Sequence, residues 1–278
     1  MSQSLQSRQR LYQELQQAPD QINLARAALY IAQEEYPYLD VASYLTQLDT
    51  MAAALRRRLP TQSYPLKIIA AVNQYLFEEL EFRGNQADYY NPCNSFLNDV
   101  LTRRLGIPIS LSLIYLELAG RVGFPMAGVG MPGHFLLRPT LEDMAIFVDP
   151  FHRGEILFEQ DCRDCCRQLF GEAIQLRPLH LQPISPQAWI VRMLANLKMI
   201  YLQQRQMDKT LAAIDRILLI CPEAVSEWRD RGLIYYQQGD LKRAHGDLQR
   251  YLQNHPEATD GFEIRQVIDQ IERLQTDH

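Results

Sequence analysis

The sequence predicts an α+β domain with a small antiparallel sheet, followed by an all-α repeat domain. Three observations carry that expectation. Apolar residues recur at helical spacing through most of residues 20–81, whereas residues 124–158 alternate short apolar runs with Gly and Pro. The first texture is that of amphipathic helices and the second that of short strands and tight turns. Farther on, Pro222 and Pro256 stand 34 residues apart, a period that marks stacked helical hairpins. The expected division is a helical segment plus mixed core over residues 1–180 and repeats with a closing helix over 187–278.

Composition narrows the function classes. A chain of 278 residues exceeds the usual single domain, so two are expected. A formal charge of −5 argues against a general nucleic-acid binder, which normally shows a basic face. No apolar run approaches the roughly 18 residues that span a bilayer, and the polar start MSQSLQSRQRLYQELQQ lacks the apolar stretch of a signal peptide. Five cysteines is an odd number, and with no sign of export they read as reduced thiols of a cytoplasmic protein.

Each element follows from local chemistry. Residues 5–17 read as a short polar helix. Residues 20–35 place Ile22, Ala25, Leu29 and Ala32 on one stripe, with Asp20 as the expected cap. Asp40 caps the next helix, whose last turn holds Arg56, Arg57 and Arg58 and which Pro60 closes. A third helix, about 65–81, carries Ile68, Ile69, Val72, Tyr75, Leu76 and Leu80 on its apolar face. FRGNQADYYNPC (82–93) reads as a long ordered loop, and a helix at about 94–104 follows. Pro108 suits the first turn of the next helix, 109–121, which is apolar almost all round and therefore buried. Strands are expected at about 126–130, 134–138, 145–149 and 155–158. A helix and a Pro-rich connector fill 159–186.

Aligned on the two prolines, the second repeat has Trp228, Gly232, Tyr235, Gly239, Ala244 and Pro256 where the tetratricopeptide motif prefers them. The first has Leu194, Leu197, Tyr201 and Pro222, but Lys198 stands for the usual small residue and Thr210 for the usual alanine. Residues 261–275 read as the polar-faced helix that closes a solenoid. Trp228 and Tyr235 are the candidate partner-binding residues of this part.

The stretches FRGNQADYYNPCNSFLNDVLTRRLGIPISLSLIYLELAGRVGFP, GVGMPGHFLLRP and FVDPFHRGEIL, followed by tetratricopeptide repeats, resemble a bacterial family that joins a transglutaminase-like domain to such repeats and was named after an invasion-regulator locus. The resemblance covers roughly residues 20–255 and implies a transglutaminase/papain-like core. In such cores a nucleophilic Cys begins the central buried helix, where the helix dipole and a neighbouring His lower its pKa. Carried over residue by residue, His134 and Asp149 match the base and its orienting carboxylate. The position of the Cys reads Pro108, which has no nucleophile.

Three readings of this site follow. In one, His134 and Asp149 are a structural pair and the pocket binds a ligand or peptide without turnover. In another, Ser110 or Ser112 is the nucleophile, unless these hydroxyls simply bond back to the preceding turn. In the third, Cys93, just before the helix 94–104, approaches the same pocket. Asn94, Ser95 and Asn98 either satisfy the backbone of the 82–93 loop or line the cleft. His152, near Asp149 in DPFHRG, reads as a loop residue, with lining of the pocket as the alternative. Arg83, Arg103 and Arg104 read as solvated, with recognition of an acidic ligand as the alternative. Cys162, Cys165 and Cys166 give half a zinc site without a second ligand pair, and GVGMPGH lacks the following helix of a dinucleotide fingerprint. No cofactor or metal is therefore expected. The functions left are an adaptor with a catalytically degenerate core that binds a protein or peptide partner, without nucleic acid or membrane insertion, and a Cys- or Ser-dependent hydrolase or acyltransferase acting on peptide or amide bonds through His134 and Asp149.

Overall fold

The computed structural model describes residues 3–59, 64–141 and 144–276. Pro60, expected to close the second amphipathic helix, lies outside them. The chain forms two compact units, Met1–Met193 and Leu194–His278.

The first unit opens with α1 (Gln3–Leu15), α2 (Leu24–Ala32) and α3 (Val41–Arg56). Asp40 caps α3 by accepting the N–H groups of Ala42 and Ser43. The cap of α2 is Asn23, whose side chain accepts the Arg26 N–H, and not Asp20. The helix starts one turn later than the apolar stripe suggested, because Asn23 offers its carbonyl at the position where the free N–H groups need it. α4 (Pro65–Asn73) runs into a π-helical stretch, Gln74–Glu79.

The loop then crosses β1 (Arg83–Gly84), a 3₁₀ turn at Pro92–Asn94 and α5 (Leu97–Arg103) before β2 (Leu105–Gly106), which pairs with β1 in parallel. α6 (Pro108–Arg121) follows, and the tight turn into it depends on Gly106: a Cβ there would lie 2.8 Å from the Ser110 Oγ.

α6 is the centre of the unit. Ile109, Leu111, Leu113, Ile114, Tyr115, Leu118 and Ala119 are all buried, and burial of each large apolar side chain contributes about 1.5–3 kcal/mol. The helix packs against α2, α3 and α4 on one side and the sheet on the other. Its one buried carboxylate, Glu117, accepts the Ala25 N–H at the start of α2 and pairs with Arg121. A charge inside an apolar helix is thereby satisfied at a neighbouring helix end.

The sheet is antiparallel in the order β3 (Met126–Val129), β4 (Leu136–Pro139), β5 (Phe147–Asp149), β6 (Glu155–Leu157). α7 (Glu159–Phe170) places Cys162 and Cys166 in an apolar cluster with Val129, Met131, Leu136 and Phe147. These thiols pack the core, and burial pushes that of Cys162 up to about 12.

The division between the units falls within α8 (Pro186–Gln203). The second unit continues through α9 (Met207–Ile220), α10 (Val225–Gln237), α11 (Leu241–Asn254) and α12 (Gly261–Thr276). α10 and α11 touch closely at Gly232, where a Cβ would meet Leu248 at 2.8 Å. The first repeat accommodates its large residue differently. Lys198 is buried, and its ammonium donates to Glu227 Oε1 at 2.6 Å and Asp230 Oδ2 at 3.0 Å. Thr210 returns its hydroxyl to the Gln206 carbonyl one turn back. α12 buries Ile264, Ile268 and Ile271 against the last repeat. Among the described residues no helix is long and apolar enough to cross a membrane.

Candidate functional site

β4, β5 and the turns beside them bring three side chains together. His134 lies in the turn before β4, in which its N–H donates to the Met131 carbonyl. Arg192 holds that turn by donating to the carbonyls of Met131 and His134 at 2.6 and 2.7 Å. Asp149 ends β5 and caps the 3₁₀ turn Pro150–His152. The proline at the first position of that turn fixes its entry, and three residues carry His152 back over the aspartate.

Asp149 is 2% exposed and fully engaged. Its Oδ1 accepts the N–H groups of Phe151 and His152, and its Oδ2 lies 2.6 Å from His134 Nε2 and 2.7 Å from His152 Nδ1. Burial pushes the carboxyl upward, but hydrogen bonds and charge from the two imidazoles overrule it and hold it well below the usual range. His152 is raised above its ordinary value, chiefly by its hydrogen bond to Asp149. An ionised carboxylate only accepts, so both imidazoles donate to it. That assignment puts the His134 proton on Nε2 and leaves Nδ1 with a lone pair in the neutral ring, the state a general base needs. Phe151 closes edge-on over His134 with ring centroids 6.4 Å apart.

His134, Asp149 and His152 also place one ligand atom each within 4.8 Å of one another, so they are the described residues able to hold a metal ion. The short contacts argue for hydrogen bonding: both ring nitrogens converge on the same oxygen, where an ion would need room for roughly 2.0–2.2 Å bonds to each ligand.

Two of the candidate nucleophiles, Ser110 and Cys93, are engaged elsewhere. Ser110 is buried at the third position of α6. Its Oγ accepts the Ile107 N–H at 3.0 Å and donates toward the carbonyls of Asn94 at 2.6 Å and Ile107 at 3.1 Å. It is the polar half of a helix cap. Pro108 fills the first helical position. The Tyr36 hydroxyl donates to Asp99 at 2.6 Å and stands 3.9 Å from the Cys93 sulfur, which ties the thiol into this cluster. Burial, and then the Asp99 charge, push the Cys93 thiol above its ordinary value. Among the described residues no hydrogen bond joins Cys93, Ser110 or Ser112 to His134.

Asn94 is the hub of the 82–93 loop. Its amide donates to the carbonyls of Asp88 and Tyr89, and its Oδ1 accepts from Asn85. Ser95 Oγ, Asn98 Oδ1 and Ser112 Oγ are buried with no partner among the described residues. In the second unit Tyr235 is buried within the α10–α12 core and braced by Arg243. Trp228 is half-buried, donates to the Pro222 carbonyl and lies under the guanidinium of Arg250 at 4.0 Å. His152 is the member of the cluster that sequence reasoning set aside. The signal for it was present in Asp-Pro-x-His, in which an Asp cap and a Pro at the first position set up a one-turn return.

Comparison with known proteins agrees with this architecture. The family profile described as transglutaminase-like superfamily matches residues 42–195, and that described as tetratricopeptide repeat matches residues 197–269. A protein of Xylella fastidiosa designated UPF0162 is 41% identical over 259 residues, which cover 91% of this chain and 92% of that one. A UPF0162 protein of Vibrio cholerae is 33% identical over 181 residues, 65% of this chain and 67% of its own. Human F-box only protein 21 is 32% identical over 178 residues, 53% of this chain and 28% of that protein. No solved structure matches the chain.

Proposed function

The chain belongs to the transglutaminase-like superfamily, and from that premise we propose that it acts as a protein-interaction factor whose core keeps the scaffold of a catalytic site without its nucleophile. The observation that carries this reading is at the start of α6. Pro108 stands at the first helical position, and the Ser110 hydroxyl beside it is consumed by three hydrogen bonds that hold the helix entry together. Cys93 adds to it, because a thiol raised by burial and by a carboxylate is a poor nucleophile. On this reading the Asp149 cluster is a rigid wall of a peptide-binding cleft. The tetratricopeptide unit supplies a second contact surface for a protein partner, as such repeats generally do. The five free cysteines suit a reducing cytoplasm.

Turnover is the discriminating measurement. The full-length protein and His134→Ala should release product from peptide, amide and ester substrates at the same background rate. Turnover that disappears in His134→Ala would overturn the reading. One observation favours the alternative, a hydrolase or acyltransferase: the imidazole of His134 is oriented by a buried carboxylate with Nδ1 left for a proton. That half of the mechanism still needs a nucleophile within reach of it.

A further inference from the structure

A second site lies on the first unit, in the region that π-helix, α5, β1 and the 149–154 turn enclose. Phe77, Glu78, Glu81, Phe82, Arg83, Arg103, Arg104 and Arg153 line a cleft of about 500 Å³. The volume is that of a small-molecule site. Four arginines against two glutamates leave a formal charge of 4 − 2 = +2 around the cleft, on a chain whose net charge is −5.

The arginines are not consumed by the fold. Among the described residues none of the four is ion-paired, and Arg83 and Arg104 make no side-chain hydrogen bond at all. Arg103 reaches only the Asn94 Oδ1, at 3.5 Å, and Arg153 only the Phe77 carbonyl, at 3.4 Å. Elsewhere in this unit arginines find carboxylates readily: Arg8 pairs with Glu34, Arg58 with Glu79 and Arg121 with Asp49. Here Glu78 and Glu81 share the cleft wall yet pair with none of the four.

The backbone around the cleft is also unusual. Glu81, Arg104 and Arg153 have φ of 58°, 60° and 58°, in the left-handed region that residues with a Cβ rarely adopt. Three of the four such non-glycine residues among those described line this one cleft. Each follows a helical segment, where glycine is the ordinary choice. A charged side chain stands at each despite the strain, and such strain concentrates at ligand clamps. The π-helical stretch that supplies Phe77 and Glu78 belongs to a rare class also frequent at functional sites. The parallel pairing of β1 with β2, in which the Arg83 N–H donates to the Arg104 carbonyl at 2.9 Å, sets those two residues side by side.

We infer that this cleft is a binding site for a small molecule carrying a phosphate or pyrophosphate group, held by Arg83, Arg103, Arg104 and Arg153. The planar fork of arginine matches phosphate oxygens bidentately, and no lysine lines the site. A surplus of two positive charges suits a multiply charged head in place of a single carboxylate. Arg153 follows His152 directly, so an occupant of the cleft touches the turn that closes the Asp149 cluster. The site stands apart from the adaptor reading and does not depend on it.

Titration calorimetry of the full-length protein with inorganic pyrophosphate, at low ionic strength, tests the assignment. The expected result is saturable binding with one site per chain. Arg104→Gly and Arg153→Gly should each weaken it at least tenfold. Both changes relax a strained φ, so thermal melting should show variants at least as stable as the parent, which separates lost binding from lost folding. Arg83→Gln, outside the strained positions, should weaken it as well. A non-saturable heat would overturn the proposal. So would unchanged affinity in the glycine variants, which would mean that the arginines only neutralise the helix ends. Equal affinity for citrate would overturn the phosphate assignment.

Discussion

The two sides of the candidate site have been treated differently. On the strand side, Asp149 accepts four hydrogen bonds and His134 is held by both Asp149 and Arg192. On the helix side, the first turn holds a proline and a hydroxyl spent on a cap. A catalytic site needs both sides, whereas a rigid binding surface needs only order. The difference teaches that orientation of a histidine by a buried carboxylate is no evidence of catalysis by itself. The same geometry satisfies a buried polar group, which the fold demands regardless of function.

Four changes sharpen or break that contrast. The largest effect belongs to Asp149→Asn, which keeps one acceptor oxygen but sets an NH2 donor in place of the other, so that either the two imidazoles or the turn lose their acceptor. Chemical denaturation should show a loss of about 3 kcal/mol, since removal of one partner strands the others in a buried place. A loss near zero would show that the cluster is not structural.

Ser110→Ala comes next. It unties the Ile107 N–H and the Asn94 carbonyl from the α6 entry, at an expected cost of about 1–2 kcal/mol. A catalytic serine would instead be replaceable with little loss or some gain of stability. The pair of measurements thus ranks both sides of the site as structure.

The third effect is pH dependence. The folded pKa of His152 is raised, so the stability it contributes is complete below its unfolded value of about 6.5 and lost as pH rises through the raised value. The folded pKa of Asp149 is depressed, so its contribution is present above about 3.9 and lost as pH falls through the folded value. Between these limits stability should be flat, with a decline on the alkaline side that His152→Gln removes. The side chain of His152 is 48% exposed, and solvent screening keeps that decline under about 1 kcal/mol. Denaturation midpoints from pH 5 to 9 measure it.

The smallest effect is at Ser112, whose buried hydroxyl has no partner among the described residues. Ser112→Ala should change stability by less than about 0.5 kcal/mol or raise it, because an orphaned polar atom is removed. A loss above about 1 kcal/mol would reveal a partner.

Much of the fold was legible because it rests on periodicity. The apolar surface of α6, the four strands and the closing helix α12 follow from spacing alone, and so did the placement of Asp149 at a strand end, whereas His134, expected to open the strand 134–138, lies in the turn before β4. The repeats were legible through their prolines and small residues. Lys198 departed from that pattern, and its compensation by Glu227 and Asp230 lies 29 and 32 residues away, in the next repeat. The two-residue pairing of β1 with β2 carries no pattern to read. Nor did the cap of α2, where Asp20 and Asn23 are equally good residue types and only the chain path chooses Asn23. The arginine cleft was legible only in part: Arg83, Arg103 and Arg104 were open to an acidic ligand, but the wall that they share comes from residues 77–83, 103–104 and 153. A surface arginine and a cleft arginine look alike until those segments meet.

The central claim, that the helix side lacks a nucleophile, is tested most directly by chemical labelling. The full-length protein and His134→Ala should be treated with thiol- and serine-directed electrophiles between pH 6 and 9, and the modified residues located by mass spectrometry. On the proposed function, Ser110 stays unmodified, Cys93 reacts slowly at the rate of an ordinary half-buried thiol, and His134→Ala gives the same pattern. Rapid labelling of either residue that His134→Ala abolishes would contradict it.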